Sequence, residues 1–133
     1  MKLVVIDTNI LVSSVLSPNG SPAQVMILIS FKELQPFYCS EILNEYRRVL
    51  AYERLNISIQ TQNKAIESII NLGILIEPPV SSIHMPDEAD RIFYDTAKAS
   101  GAILITGNIK HFPHEPFIMT PAEFLEKANI ING

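Results

Sequence analysis

The stretch VVIDTNILVSS, residues 4–14, places one acidic side chain between two apolar patterns of different period. Residues 3–6 are β-branched and aliphatic without alternation, which is typical of a short strand buried on both faces of a parallel sheet. After Asp7 the apolar positions recur at helical spacing as far as Val15, and turn residues follow at 17–20. The stretch therefore predicts a buried strand, an acid at its carboxyl end and a helix.

The rest of the chain repeats this alternation of short apolar strands and helices. Further strands are predicted at residues 36–39, 74–77, 102–106 and 117–119. Further helices are predicted from Ser21 as N-cap to about Leu34, from Ser40 as N-cap, at 60–72, at 87–100 and from Thr120. Because each parallel crossover needs a returning helix, we expect a three-layer α/β/α sandwich with a mainly parallel central sheet. No linker interrupts the pattern, so we expect a single domain over residues 1–133.

The composition bears on location and partners. The chain has 14 acidic and 10 basic residues and a net charge of −4, which argues against an extended grip on long nucleic acid but permits RNA at a small site. The apolar run before Asp7 is too short for a signal-peptide core and no later run reaches a bilayer span, so we expect a cytoplasmic protein without a membrane segment. A hydrophobic content of 47% indicates apolar surface covered by another chain, with a homodimer as the expected assembly.

Polar side chains follow two of the predicted strands. In open parallel sheets, ligands gather beyond the carboxyl ends of the strands, so Asp7 and Asn108 are expected to be neighbours. Glu45 and Asp90 lie early in their helices and are expected to face the same edge. Each acid also has a simpler interpretation: Asp7 as a helix cap, Glu45 as a solvated helix residue, and Asp90 as a complement to the helix dipole.

A cluster of these acids needs a compensating cation. Two like charges about 4 Å apart repel by about 4 kcal/mol at an effective dielectric near 20, so three clustered carboxylates cost on the order of 10 kcal/mol. Divalent cations offset such a cost. A set of hard oxygen ligands without His or Cys favours Mg²⁺ or Mn²⁺ over zinc.

Three blocks of the sequence carry a family resemblance: VVIDTNILVSSVLSP at 4–18, SEILNEYRRVL at 40–50 and DEADRIFYDTAKASGAILITGNIKHFP at 87–113. They resemble, in the family's order, the signature blocks of the PIN-domain family, and in particular its small prokaryotic toxin components of toxin–antitoxin systems, the VapC-like ribonucleases. Asp7, Glu45 and Asp90 are similar to the family's first three acids. Asn108 stands where many relatives carry a fourth acid.

The resemblance implies a metal-dependent endoribonuclease with RNA as substrate and an antitoxin protein as partner. Asp7, Glu45 and Asp90 would hold one or two Mg²⁺ or Mn²⁺ ions, and a metal-activated water would attack the phosphodiester. Other residues would support these ligands from outside. Thr8 would orient Asp7 through its hydroxyl, with Asn9 beside it. Thr106 and Asn108 would hold a water or the outer shell of a metal. The neutral amide of Asn108 predicts weaker metal binding or a one-metal site.

Other polar residues receive secondary interpretations. The five cations considered as phosphate contacts are Arg47, Arg48, Arg54, Lys98 and Lys110, of which Arg47 and Lys110 are the favoured pair. His111 and His114 are interpreted as residues of a surface loop rather than as metal ligands. Asp87 and Asp95 are interpreted as a helix end and a solvated face.

Two functions of other classes stay open at this point. The first is a PIN-like module that binds RNA or protein but has lost turnover through Asn108. The second is a small-molecule phosphatase. The DTN tripeptide at 7–9 resembles that of the haloacid-dehalogenase phosphotransferases, and this resemblance implies a second Asp where the chain has Asn9.

Overall fold

The computed structural model describes residues 2–128, and these form a five-stranded sheet flanked by helices. The strands are β1 (Lys2–Ile6), β2 (Leu34–Tyr38), β3 (Ile74–Leu75), β4 (Ile103–Ile105) and β5 (Ile118–Met119). The helices are α1 (Thr8–Leu16), α2 (Ser21–Ser30), α3 (Ser40–Leu50), α4 (Ile59–Leu72), α5 (Arg91–Ser100) and α6 (Pro121–Lys127). Three short 3-10 helices lie at Glu53–Leu55, Glu88–Asp90 and Ile109–His111.

All described strands run parallel, in the order β3-β2-β1-β4-β5. β1 is central, with Val4 opposite Pro36 of β2 and Ile103 of β4. Val4 and Val5 have no exposed surface, as expected for a strand covered on both faces. The predicted α/β/α architecture is confirmed. The single-domain prediction stays a prediction, since residues 1 and 129–133 lie outside the described part.

The second helix differs from its prediction at both ends. Its N-cap is Gly20, and Ser21 makes no side-chain capping bond. It ends at Ser30, because Lys32 adopts φ of 61° and turns the chain, and Leu34 is buried as the first residue of β2. Apolar residues continue from the end of α2 into the start of β2, so the sequence pattern does not show where the helix ends. The helical spacing therefore predicted a helix that is too long.

Several other boundaries also shift. Cys39 rather than Ser40 is the N-cap of α3, and the Ser40 hydroxyl instead donates to Glu77 at 2.7 Å. The helix predicted from residue 87 begins as the 3-10 turn Glu88–Asp90 and becomes α-helical at Arg91. The predicted strands at 74–77, 102–106 and 117–119 are each shorter in the structure. By contrast, Thr120 caps α6 as predicted, in a reciprocal capping box with Glu123.

A buried tyrosine joins α3 to the central strand. Tyr46 is 1% exposed, and its hydroxyl donates to the carbonyl of Ile6, the residue before Asp7. Its ring lies 6.4 Å from that of Phe93 on α5. This contact fixes the height of α3 against the end of β1, and thereby the position of Glu45, one residue earlier on the helix.

The longest helix of residues 2–128 is α4, with 14 residues. No helix in this part of the chain is both long and apolar enough to cross a membrane.

Candidate active site

A cleft of about 350 Å³ opens beyond the carboxyl ends of β1 and β4. It is lined by Asp7, Thr8, Asn9, Val12, Ser13, Glu45, Val49, Arg54, Leu55, Asp90, Asn108 and His111. The structure thus brings Asp7, Glu45, Asp90 and Asn108 around one cleft. Their catalytic and metal-binding roles stay predictions.

Asp7 both caps α1 and faces the cleft. Its Oδ1 accepts the backbone N–H of Thr8 at 2.8 Å. Its Oδ2 accepts the hydroxyl of Thr106 at 2.6 Å and the side-chain amide of Asn9 at 3.1 Å. Burial raises the pKa of Asp7, which is 5% exposed, and the charge of Glu45 raises it further, while the bonds from Thr106 and Thr8 lower it. The capping and site interpretations are therefore compatible.

Glu45 is oriented by a residue that was expected to orient Asp7. The Thr8 hydroxyl donates to Glu45 Oε2 rather than to Asp7, which corrects the predicted role of that hydroxyl. Thr8 thus contacts both acids, with its backbone N–H bonded to Asp7 and its hydroxyl to Glu45 on α3. Thr106 supplies the hydroxyl for Asp7 instead. Arg48 lies 3.6 Å from the other Glu45 oxygen.

Asp90 carries a buried oxygen without a hydrogen bond. It is the last residue of its 3-10 turn and the N-cap of α5. Its Oδ2 accepts no hydrogen bond in the structure, and His111 Nδ1 is 3.5 Å away. Burial, followed by the charges of Asp7 and Asp87, raises the pKa of Asp90 to about 6, while His111 lowers it. The negative form of Asp90 is thus only partly compensated by His111, because the raising effects prevail.

Two asparagines tie the ends of β1 and β4 together. Asn9 donates to Asp7 Oδ2, and its Oδ1 accepts the backbone N–H of Gly107 at 3.1 Å. The backbone N–H of Asn108 donates to the Thr106 hydroxyl at 3.0 Å. The expected neighbourhood of Asp7 and Asn108 therefore has a direct physical link through Thr106.

The arginine that lines the cleft is not one of the two residues favoured from the sequence as phosphate contacts. Arg54 lines the cleft, whereas Arg47 and Lys110 do not. Arg47 stands two residues after Glu45, which places it about 200° around the helix at 3.6 residues per turn. Lys98 lies over the ring of Phe117, with 5.4 Å between its Nζ and the ring centroid, away from the cleft.

His111 was not assigned to the site from the sequence. It ends the 3-10 turn that Asn108 caps, and residues three apart eclipse in a 3-10 helix. The three-residue spacing from Asn108 could have placed His111 near the site, but the 3-10 turn was not predicted from the sequence. His111 is half-exposed at the mouth of the cleft beside Asp90.

The interpretation of Asp95 as a solvated residue is wrong. Asp95 is 4% exposed, and its Oδ2 accepts the backbone N–H of Ser81 at 3.1 Å. It lies outside the cleft and fastens the loop before Glu88 to α5. Asp87 is at a helix end as expected, where it accepts the backbone N–H of Ala89.

The donor chemistry of the cleft fits a hydrated divalent cation. Among residues 2–128, no three His, Cys, Asp or Glu side chains are arranged so that together they could hold a metal ion directly. Mg²⁺ commonly keeps several waters and takes one or two carboxylates, so a closed cage is not required. The unbonded Oδ2 of Asp90 and the all-oxygen set of Asp7 and Glu45 provide suitable ligands.

Comparison with known proteins agrees with this architecture. The sequence pattern of the PIN domain family matches residues 3–110, so the chain belongs to the PIN domain family. It is similar to the uncharacterized protein MJ1680 of Methanocaldococcus jannaschii, at 30% identity over 108 residues, covering 79% of this chain and 70% of that protein. Family membership indicates a hydrolase of the nuclease kind.

A solved structure shares the fold. It is VapBC2 from Rickettsia felis bound to a DNA fragment from their promoter, with a TM-score of 0.58 and 17% identity. The match covers 89% of this chain and 96% of that chain. At this identity the likeness establishes the fold of the present chain.

Proposed function

We propose that this protein is a Mg²⁺- or Mn²⁺-dependent endoribonuclease of the cytoplasm and the toxin component of a toxin–antitoxin pair. One observation carries the nuclease part: Asp90 has a buried oxygen without a hydrogen bond, in a cleft whose other acids are Asp7 and Glu45. The charges of those two acids contribute to the raised pKa of Asp90. A divalent cation would relieve this repulsion.

The side chains around the cleft would divide the work. Asp7, Glu45 and Asp90 would hold the cation partly through its waters, since no three acids within residues 2–128 are placed to bind it directly. When bound, the cation supplies a Lewis acid that activates water and neutralises charge on the phosphate. Thr106 holds the Asp7 carboxylate at a fixed angle, and Thr8 does the same for Glu45. Such outer partners fix the orientation of each carboxylate.

Asn108 affects how many cations the cleft would hold. Its amide oxygen is a ligand without charge, at the position where a fourth acid would assist a second cation. We therefore expect weaker metal binding or a one-metal site. The same residue favours the second candidate, a PIN-like module that binds RNA or protein with little turnover.

The partner proposal draws on a surface groove and on the similar solved structure. An apolar groove between α1, α2 and α4 is lined by residues that include Leu11, Val15, Met26, Ile29 and Leu72. We propose that an antitoxin covers apolar surface of this kind, by analogy with VapBC2, whose structure includes promoter DNA. Exposed apolar side chains are also available for a homodimer, among them Leu16, Ile27, Phe31, Ile74 and Leu75.

A cleavage assay with matched variants tests the nuclease proposal. The purified protein is incubated with single-stranded RNA in Mg²⁺, in Mn²⁺ or in EDTA. We expect cleavage only with a metal, and its loss in Asp7→Asn and Glu45→Gln. Glu67→Gln is the control, because Glu67 is exposed on α4 and does not line the cleft.

The same assay separates the alternatives. Equal cleavage by Asp7→Asn and the unmodified protein would refute the nuclease assignment to this cleft. RNA binding without cleavage in either metal would favour the binding module. As an independent readout, Mn²⁺ should raise the thermal midpoint of the unmodified protein more than that of Asp90→Asn.

A further inference from the structure

Two arginines flank one tyrosine where α3 ends beside the cleft. The Cζ of Arg54 lies 5.1 Å from the centroid of the Tyr52 ring, and that of Arg48 lies 5.9 Å from it. Arg48 also donates to the Tyr52 hydroxyl. Both distances are within the range of a cation–π contact. We call Arg48, Tyr52 and Arg54 the Arg–Tyr–Arg cluster.

A structural role at the end of α3 does not account for the Arg–Tyr–Arg cluster. Both guanidinium groups are exposed, and an exposed cation–π contact stabilises a fold only weakly. Arg48 has a counter-charge in Glu45 at 3.6 Å, whereas Arg54 forms no ion pair with any residue from 2 to 128. Arg54 thus lies over the ring with no ion-pair partner among the described residues.

The position of Arg54 links the cluster to the cleft. Arg54 and Leu55 line the cleft together with Asp7, Glu45 and Asp90. The protein as a whole carries a charge of −4, so a polyanion reaching these acids meets repulsion. A cation fixed at the rim would offset this repulsion locally.

We propose that the Arg–Tyr–Arg cluster is a binding site for single-stranded RNA next to the scissile phosphate. The guanidinium groups contact backbone phosphates, since Arg presents a fork of donors that matches phosphate oxygens. An unpaired base stacks on the half-buried Tyr52 or on a guanidinium plane beside it. A duplex keeps its bases stacked inside and cannot use the ring. The inference rests on the proposed function, of which it specifies the residues that bind the substrate strand.

A binding measurement without turnover tests the proposal. Fluorescence anisotropy of a labelled 12-nucleotide single-stranded RNA is recorded with the Asp7→Asn protein in EDTA, at several salt concentrations. Arg54→Gln in this background should weaken binding about tenfold and reduce the slope of log affinity against log salt by about 0.7, the value for one phosphate contact on a single strand. Lys98→Gln removes a cation over another ring, away from the cleft, and should change neither.

The ring is tested separately from the charge. Tyr52→Leu should weaken single-strand binding about fivefold or more, while Tyr52→Phe retains most of the affinity. A 12-base-pair RNA duplex should not distinguish Tyr52→Leu from its parent. Equal effects of Arg54→Gln and Lys98→Gln would overturn the site, and equal effects of Tyr52→Leu on single strand and duplex would overturn the single-strand preference.

Cleavage by the unmodified protein decides the proposed function independently. If that protein binds RNA through the cluster but cuts none with Mg²⁺ or Mn²⁺, the nuclease proposal fails and the binding site stands. If it cuts RNA and Arg54→Gln leaves single-strand binding unchanged, the binding site fails and the nuclease proposal stands.

Discussion

The hydroxyl of Thr106 donates a 2.6 Å hydrogen bond to Asp7 Oδ2 across 99 positions of sequence. The two residues follow Ile6 and Ile105, which are opposite each other in the register of β1 and β4. Thr106 has no exposed surface and Asp7 is 5% exposed, so water does not replace this bond. The parallel pairing of two strands therefore sets the orientation of the acid.

Replacing Thr106 by valine should damage both stability and activity. Valine keeps the shape but removes the hydroxyl, which leaves Asp7 Oδ2 with Asn9 alone and the backbone N–H of Asn108 without its acceptor. We expect a loss of about 1–3 kcal/mol in the free energy of unfolding, measured in urea. If the proposed function holds, RNA cleavage falls about 10–100-fold. Thr106→Ser, which keeps a hydroxyl, should lie close to the unmodified protein; equal behaviour of the Val and Ser variants would contradict the role of this bond.

Asp90 should make the metal-free protein less stable as the pH rises. Burial, followed by the charges of Asp7 and Asp87, raises the pKa of Asp90 from its ordinary value of 3.8 to about 6 in the folded state. The folded state therefore holds its proton longer, and stability is lost as the pH rises from about 4 to 6. The full shift corresponds to about 3 kcal/mol, which screening in the open cleft reduces to about 1–2 kcal/mol.

The variant Asp90→Asn checks this pH dependence. In EDTA it should match the unmodified protein near pH 4 and exceed its unfolding free energy by about 1–2 kcal/mol at pH 7. Urea unfolding at a series of pH values gives the difference. A difference that does not change with pH would show that Asp90 is not the titrating group.

The Tyr46 hydroxyl should contribute measurably to stability. Tyr46→Phe keeps the ring packing against Phe93 but removes the buried bond to the Ile6 carbonyl. We expect a loss of about 1–2 kcal/mol in urea unfolding. The control is Tyr52→Phe, whose hydroxyl is bonded to an exposed arginine and should be worth less than about 0.5 kcal/mol. Losses of the same size in both variants would argue against this buried bond.

Two glycines should tolerate alanine differently. A Cβ on Gly73 would lie 2.4 Å from the Ile69 carbonyl oxygen and 2.9 Å from Tyr38 Cδ1, so Gly73→Ala should cost about 1–3 kcal/mol by crowding. Gly101 has φ of +70° in open space, and Gly101→Ala should cost about 1 kcal/mol through backbone conformation alone. Thermal or urea unfolding of the pair gives the order, and the reverse order would contradict it.

The sequence by itself determined the elements whose signals are local. The unbroken apolar run before Asp7 specified β1, and Thr120 with Pro121 specified the start of α6. The rule that parallel strands end at one edge also placed Asp7 and Asn108 together, because it depends only on strand direction.

Only the tertiary structure decided what each side chain touches. The helical spacing of apolar residues predicted α2 as far as Leu34, whereas the helix ends at Ser30. Leu34 belongs to β2 because it is buried in the sheet, which the local period does not show. The Thr8 hydroxyl donates to Glu45, and buried Asp95 accepts the backbone N–H of Ser81. Arg54, which follows the end of α3, lines the cleft. Each of these contacts joins residues of separate elements. Periodicity records which face of an element is apolar, whereas hydrogen-bond partners depend on how separate elements pack, and that information is not local.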